Sequence, residues 1–246
     1  MKILSVSTAT NQLSVALNED TTVMVEKSEH DKRNHSEHLD PLIAEILTEN
    51  HLKLKDIDRF AVAIGPGSYT GLRIGVTTIK MFASILAKQA VGVSTMKALA
   101  VNCQDTDTLI VAGIDARNDN FFAGAYLREN GQLVNIIEDG HYHIDKLLKA
   151  VKDYALTHKL EKVVFVGTGF EKQEEAINKL DLPVSFGTDE QNVIHAGVIG
   201  KLAIDEQPVE PDQLLPRYLR RTQAEVDWHK KTGKPFEADS NYVEEV

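Results

Sequence analysis

The chain has little of what staples, anchors or addresses a protein. Its 246 residues include a single cysteine, Cys103. One thiol cannot form an intrachain disulfide or a cysteine-based zinc site, so its expected place is as a small buried hydrophobe. No stretch approaches the ~20 apolar residues of a membrane-spanning helix. The opening Met1-Lys2-Ile3-Leu4-Ser5-Val6-Ser7 has too short an apolar run for a signal peptide, whose core needs about 7–15 residues. The expectation is a cytoplasmic protein that makes no membrane contact. Positive charge is also scarce: 27 Lys and Arg against 37 Asp and Glu leave a formal charge of -10. That excludes an extended basic surface able to hold nucleic acid unaided, so RNA contact would need a local patch or a basic partner. No Gly-x-x-x-x-Gly-Lys-Ser/Thr run is present, which excludes a P-loop.

What is there reads as an ordinary globular chain, 42% hydrophobic and 26% charged, long enough for one large domain or two of about 120 residues. Its most distinctive segment is Ile64-Gly65-Pro66-Gly67-Ser68-Tyr69-Thr70-Gly71-Leu72-Arg73-Ile74-Gly75. This reads as a strand end, a Gly-rich turn and a helix start, the architecture that cradles phosphate on unpaired helix N–H groups. Gly65, Gly67 and Ser68 are the candidate ligand-binding positions there.

Periodicity predicts strands over residues 2–7, 12–17 and 21–27 and a helix carrying Leu39, Leu42, Ile43, Ile46 and Leu47. A strand over 59–64 then leads through the Gly-rich turn into a helix over about 70–87. The same order follows: strands over 109–115, 121–127 and 132–138, a helix over 145–157, a strand over 162–166 ending at Gly167-Thr168-Gly169, and a helix over 171–180. Two β-β-β-α-β-α units without sequence identity point to an α/β protein of two actin-like, ribonuclease H-like lobes with mixed sheets, related by internal duplication. The alternative is two unrelated α/β domains.

Five motifs occur in order: Ile3-Leu4-Ser5-Val6-Ser7-Thr8-Ala9-Thr10, His35-Ser36-Glu37-His38-Leu39, Gly65 to Arg73, Asp115-Ala116-Arg117, and Pro216-Arg217-Tyr218-Leu219-Arg220. Together they resemble the bacterial TsaB (YeaZ) family over nearly the whole chain. The resemblance implies a non-catalytic accessory subunit in tRNA threonylcarbamoyladenosine synthesis, the modification of the adenosine beside the anticodon in tRNAs reading A-starting codons. It implies partnership with a catalytic paralogue, TsaD, and an ATPase, TsaE, with tRNA met only through the complex. No tightly bound cofactor is implied, although a nucleotide at a subunit interface is compatible with it. Rival readings are a metal-dependent glycoprotease-like peptidase or acyltransferase, a small-molecule kinase, and a scaffold that pairs with its own copy as a homodimer.

Individual residues discriminate among these readings. In the TsaD-like paralogue a His-x-x-x-His pair holds metal; here Thr95 and Leu99 stand at those positions, and neither replaces imidazole. His30, His35 and His38 lie close in sequence, but the resemblance puts His35-Ser36-Glu37 at a helix start, with Ser36 as a cap and Glu37 favoured by the helix dipole. No metal site is expected. The first-strand position where actin-like ATPases carry a carboxylate is Ser7. Asp115 is followed by Ala116-Arg117-Asn118 where a phosphate hairpin would need glycine, so Asp115 is expected as a turn residue or as one half of a pair with Arg117. Gly167-Thr168-Gly169 suits adenosine contact in that fold or any tight turn. Ser68 has no assignable catalytic partner, and no catalytic residue is assigned.

The second predicted helix is apolar nearly all round. Leu72, Gly75, Val76, Ile79, Phe82, Ala83 and Leu86 form one stripe, and Ile74, Met81 and Ile85 another. Such a helix is fully buried or packs on a core and a partner. The expected partner surface comprises Leu42, Ile46, Gly71, Ile74, Gly75, Met81 and Ile85, with the two glycines letting another backbone approach. The expected division is a partner-binding lobe over 1–100, a second lobe over 101–217 and a C-terminal extension over 218–246. After Pro208, Pro211 and Pro216 suggest an extended segment, and Arg217, Arg220 and Arg221 form a local basic cluster. The stretch from about Lys231 is expected to be poorly ordered.

Overall fold

The computed structural model describes residues 1–30, 34–221 and 223–233. Three antiparallel strands open the chain: β1 (Lys2–Ser7), β2 (Leu13–Glu19) and β3 (Thr22–Glu29). Helix α1 (His35–Glu49) crosses to β4 (Arg59–Gly65), α2 (Tyr69–Leu86) to β5 (Gln89–Ser94), and α3 (Thr95–Ala100) ends the half. The second half repeats this with β6 (Thr108–Asp115), β7 (Asn120–Glu129), β8 (Gln132–His143), α4 (Ile144–His158), β9 (Lys162–Thr168), α5 (Glu174–Ile177), β10 (Val184–Phe186) and α6 (Ala196–Leu202). The sheets run β3-β2-β1-β4-β5 and β10-β9-β6-β7-β8, the same order once the second is reversed. In each, the first strand pairs antiparallel with the second and parallel with the fourth. This is the two-lobed actin-like, ribonuclease H-like arrangement.

Strand alternation sorts the core into three layers. Leu4, Val6, Phe60 and Val62 face out from the first sheet and are covered by Leu39, Leu42, Ile43 and Ile46 of α1 and Val76, Ile79 and Ala83 of α2. Leu109, Val111, Val163 and Phe165 do the same under α4 and Phe170. The opposite faces, with Ile3, Ala61, Ala63, Val91, Ile110, Ala112 and Val166, meet across the middle through Met96 and Leu99 of α3, Ile199 of α6 and Ala203 at its C-cap.

These middle helices cross over. Helix α3 packs on the second sheet, and α6 packs on the first. Small residues allow it: a Cβ on Gly200 would overlap Asn18, and one on Gly197 would press on Val23 and Glu26.

Several expectations need correcting. The fifth strand and last helix of each half, β5–α3 and β10–α6, were not read from the pattern, because α3 and α6 have 6 and 7 residues and show too few turns for a period. The helix expected over 171–180 is broken into a 3-10 turn (Phe170–Gln173), one turn of α5 and another 3-10 turn (Asn178–Leu180). Only Phe170, Ile177 and Leu180 are buried there, too sparse a stripe to hold a full helix. Ser36 does not cap α1: Asn34 holds that position, and its Nδ2 donates to Glu37 Oε2 at 3.1 Å. The segment after Pro208 is extended except for one 3-10 turn (Pro211–Gln213), with Val209 bridging Ala90. Helix α7 (Gln223–Thr232) follows it. The stretch expected to be poorly ordered falls mainly on residues 234–246, which lie outside the described residues.

Candidate functional site

At the carboxyl ends of β1, β4, β6 and β9 the lobes enclose a cleft of about 1030 Å³. Ala9 to Gln12, Gly67 and Ser68 line one side, Asp115 to Asn118, Thr168 and Gly169 the other, and Arg217 to Arg221 the mouth. The location is where such folds take ligands. The turns that would cradle an anion are nevertheless closed by the chain itself.

The Ser68 N–H donates to the Ala9 carbonyl at 2.7 Å. Ser68 Oγ caps α2 by accepting from Gly71 N. A Cβ at Gly67 would overlap the Ala9 carbonyl, and one at Gly65, where φ is +125°, would overlap the Arg217 carbonyl. The glycines of the turn therefore admit the chain's own backbone. In the second lobe, Arg117 N donates to Asp115 Oδ1 at 2.7 Å, and Gly169 N donates to Glu171 Oε2 at 2.9 Å. In these two turns a carboxylate of the protein takes a backbone N–H that an anion could otherwise use. Asp115 completes its set with Lys172 at 2.8 Å, which holds its carboxyl below the usual range, helped by the Arg117 N–H. Its ion-pair partner is Lys172, and Arg117 contributes its backbone.

Ser7 is fully buried, and its Oγ has no hydrogen-bond partner. Thr95 and Leu99 are also buried, Leu99 within the middle layer. His35 Nε2 meets the Thr10 carbonyl at 2.8 Å, His38 Nδ1 meets Glu29 Oε2 at 2.7 Å, and His30 lines the cleft. Among the described residues, no three His, Cys, Asp or Glu side chains converge as metal ligands. Among the described residues, Ser7, Thr95 and Leu99 supply neither the carboxylate of a magnesium–phosphate site nor the imidazoles of a His-pair metal site.

Helix α2 grades from core to solvent. Leu72, Val76, Ile79 and Ala83 are buried, Ile74, Phe82 and Leu86 are half-buried against the same core, and Met81 is 44% and Ile85 74% exposed. Met81 and Ile85 form an outward stripe with Thr70, Thr77 and Ser84, bordered by the charges of Arg73 and Lys80. Four residues of the expected partner surface are elsewhere. Leu42 and Ile46 face the first sheet in the core, because α1 has one apolar face and its own lobe uses it. Gly71 and Gly75 admit Thr8, whose hydroxyl donates to the Gly71 carbonyl at 2.7 Å, so no partner backbone approaches there.

Three polar groupings escaped the sequence reading. The Arg217–Tyr218 segment straps the lobes: Arg217 N donates to the Ile64 carbonyl, and Tyr218 stacks on Tyr69 at 4.6 Å. Arg73 donates to the Tyr218 hydroxyl, and Arg220 donates to the Ala116 carbonyl. Arg217 also pairs with Asp139, and that buried carboxylate and Glu26 organise the two remaining groupings. The Pro216-to-Arg220 motif signalled the first; single acids inside strands signalled nothing.

Fold and cleft together define a two-lobed actin-like protein whose ligand turns are self-occupied and whose second helix faces outward with apolar side chains. A family model described as "TsaD: tRNA N6-adenosine threonylcarbamoyltransferase" matches residues 23–228. The chain is 31% identical over 229 residues to the tRNA threonylcarbamoyladenosine biosynthesis protein TsaB of Bacillus subtilis, covering 93% of this chain and 98% of that one. To TsaB of Escherichia coli it is 32% identical over 245 residues, covering 95% and 100%. The solved structure of YeaZ from Pseudomonas aeruginosa superposes with a TM-score of 0.70 at 24% identity, covering 89% of this chain and 99% of that one. The chain belongs to the TsaB family.

Proposed function

We propose that this chain is the non-catalytic accessory subunit of tRNA threonylcarbamoyladenosine synthesis, working in the cytoplasm by binding a TsaD-like catalytic subunit, with a TsaE-like ATPase joining the complex. The observation that carries the reading is a pairing of opposites. The cleft's anion-facing turns are filled by Ala9, Asp115 and Glu171, while Met81 and Ile85 stand in solvent on a helix of 18 residues. An apolar stripe of that kind is favoured where a partner covers it.

In this reading tRNA is met through the complex, and any nucleotide sits where subunits meet. A metal-dependent peptidase is disfavoured by Thr95 and Leu99, which pack in the core. The test is reconstitution with the TsaD-like and TsaE-like proteins of the same genome. Modified adenosine should form only when this chain is present, and the chain should co-elute with the TsaD-like subunit. Modification at full rate without it, or elution of this chain only as a pair with its own copy, would sink the proposal.

A further inference from the structure

We infer that the two lobes are locked into one rigid unit by a pair of pseudo-equivalent carboxylates, Glu26 and Asp139, each anchoring the helix that the opposite half of the chain delivers. Each stands on the third strand of its sheet, Glu26 on β3 and Asp139 on β8. Each faces a small residue of the middle strand: Glu26 is paired with Ala16, and Asp139 lies over Gly124, where a Cβ would overlap its Oδ1. Each also takes a hydroxyl from that strand. Ser14 Oγ donates to Glu26 at 2.8 Å, and the Tyr126 hydroxyl donates to Asp139 at 2.5 Å.

The third ligand is the crossing helix. Ala196 N and Gly197 N, the first turn of α6, donate to Glu26 at 3.2 Å each, and His195 Nδ1 lies 3.3 Å from it. At the other lock, Ser94 caps α3 by accepting from Lys97 N and donates its own hydroxyl to Asp139 at 2.5 Å. Glu26 thus holds a second-half helix on the first sheet, and Asp139 holds a first-half helix on the second. Opening the cleft by swinging the sheets apart would strip these donors from Asp139, which is buried, and from Glu26, which is half-buried, and an unpaired charge in such a setting is costly.

The locks differ in one respect. Arg217 adds a guanidinium to Asp139 at 3.4 Å, while its backbone N–H holds Ile64 at the entrance to the Gly-rich turn. The strap that runs past the start of α2 is therefore fastened to the second lobe through Asp139. The two lobes and the strap would thus form one fixed block, with the outward face of α2 held still relative to the cleft mouth.

The test is hydrogen exchange of the full chain and of three variants that each remove one charge. Glu26→Gln should speed exchange in the first turn of α6 by about tenfold, the loss of roughly one charged hydrogen bond, and leave α3 unchanged. Asp139→Asn should do the same for α3 and for residues 214–219. Arg217→Gln should free the strap and spare α3. Equal acceleration in every segment, or none in the named ones, overturns the inference. Spin labels at Thr48→Cys and Lys149→Cys, on the outer helices, read the lobes directly. Cys103 is buried, with its thiol pushed up to about 11 by burial, and does not compete for label. A narrow distance distribution that broadens in the Glu26→Gln/Asp139→Asn pair is expected. Identical distributions, or a broad one in the parent chain, overturn the lock. Should Asp139→Asn not fold, Arg217→Gln and Glu26→Gln still decide it.

Discussion

Two segments hold the same place in the duplicated fold and differ in nearly everything else. After β4 comes a Gly-rich turn and then α2, 18 unbroken residues. Strand β9 ends in Gly167-Thr168, and Gly169 leads into three short turns that help to cover Phe165 and Val163. Both protect the outer face of a sheet, and the short version suffices for that. The extra length of α2, and the apolar side chains on its outward face, exceed what covering the sheet demands. The surplus is what a partner would use. On the second lobe the corresponding surface carries Glu171, Lys172, Glu174 and Glu175, a solvated face.

The largest effect should come from charging that surplus. Met81→Glu places a carboxylate where a partner would exclude water, costing several kcal/mol of binding. Co-elution with the TsaD-like subunit and modified adenosine in the reconstituted system should both disappear, while circular dichroism stays native because Met81 is not in the core. A variant that still binds and supports modification would remove the contrast between the segments. The matching change on the second lobe, Glu175→Lys, should leave both readouts as they are.

Next in size is the close approach at the start of α2. Gly71→Ala sets a methyl against the Thr8 carbonyl, and overpacking of this kind costs about 1–3 kcal/mol. Urea denaturation should show that loss; a neutral result would mean that the β1–β2 turn yields freely.

Smaller still is a pH effect at the α6 junction. The hydrogen bond to Glu26 raises the His195 pKa above its ordinary 6.5. Its contribution is full below about 6.5 and is lost as pH rises through the folded value. Glu26, though burial opposes it, is held below its ordinary 4.5 by His195, Ser14 and Gly197, so its contribution is present above that value and fades as pH falls through the folded one. Thermal midpoints should therefore fall from pH 6 to pH 8, and Glu26→Gln should flatten that slope. An unchanged slope would show that the pair does not hold α6.

Smallest is Asp115→Ala, which breaks a pair whose side chains are 32% and 66% exposed. Exposed pairs contribute at most about 1 kcal/mol. Stability should move little, and reconstituted modification should stay within about twofold. A large loss of modification would mean that the cleft works.

Much of the architecture was legible because it rests on periodicity. Strands β1, β2, β4 and β9 and the long helices α1, α2 and α4 carry enough alternation or 3.6-residue spacing to declare themselves. Short elements do not. Helices α3 and α6 are defined by what they cross to, and β10 has three residues. The two stripes of α2 were also legible: the first is buried or half-buried, and the second runs from half-buried Ile74 to exposed Met81 and Ile85. Four residues expected on a partner surface lie inside the lobe for one reason. Leu42, Ile46, Gly71 and Gly75 are apolar or small in a way that suits either an interface or the chain's own packing, and spacing cannot separate the two.

The amino-acid order alone determined the residue chemistry: no cysteine pair, no P-loop, serine rather than a carboxylate at position 7, threonine and leucine at 95 and 99, and a helix apolar on two sides. Those are local properties, fixed by which side chains are present. Which neighbour each group meets was decided only by the tertiary structure. The Gly-rich turn closes on Ala9 because β1 and β4 lie side by side, though more than fifty residues separate them in the chain. Glu26 and Asp139 become anchors because the two halves exchange their last helices. Contacts of that range depend on how the sheets face each other, a relation that no stretch of sequence carries by itself.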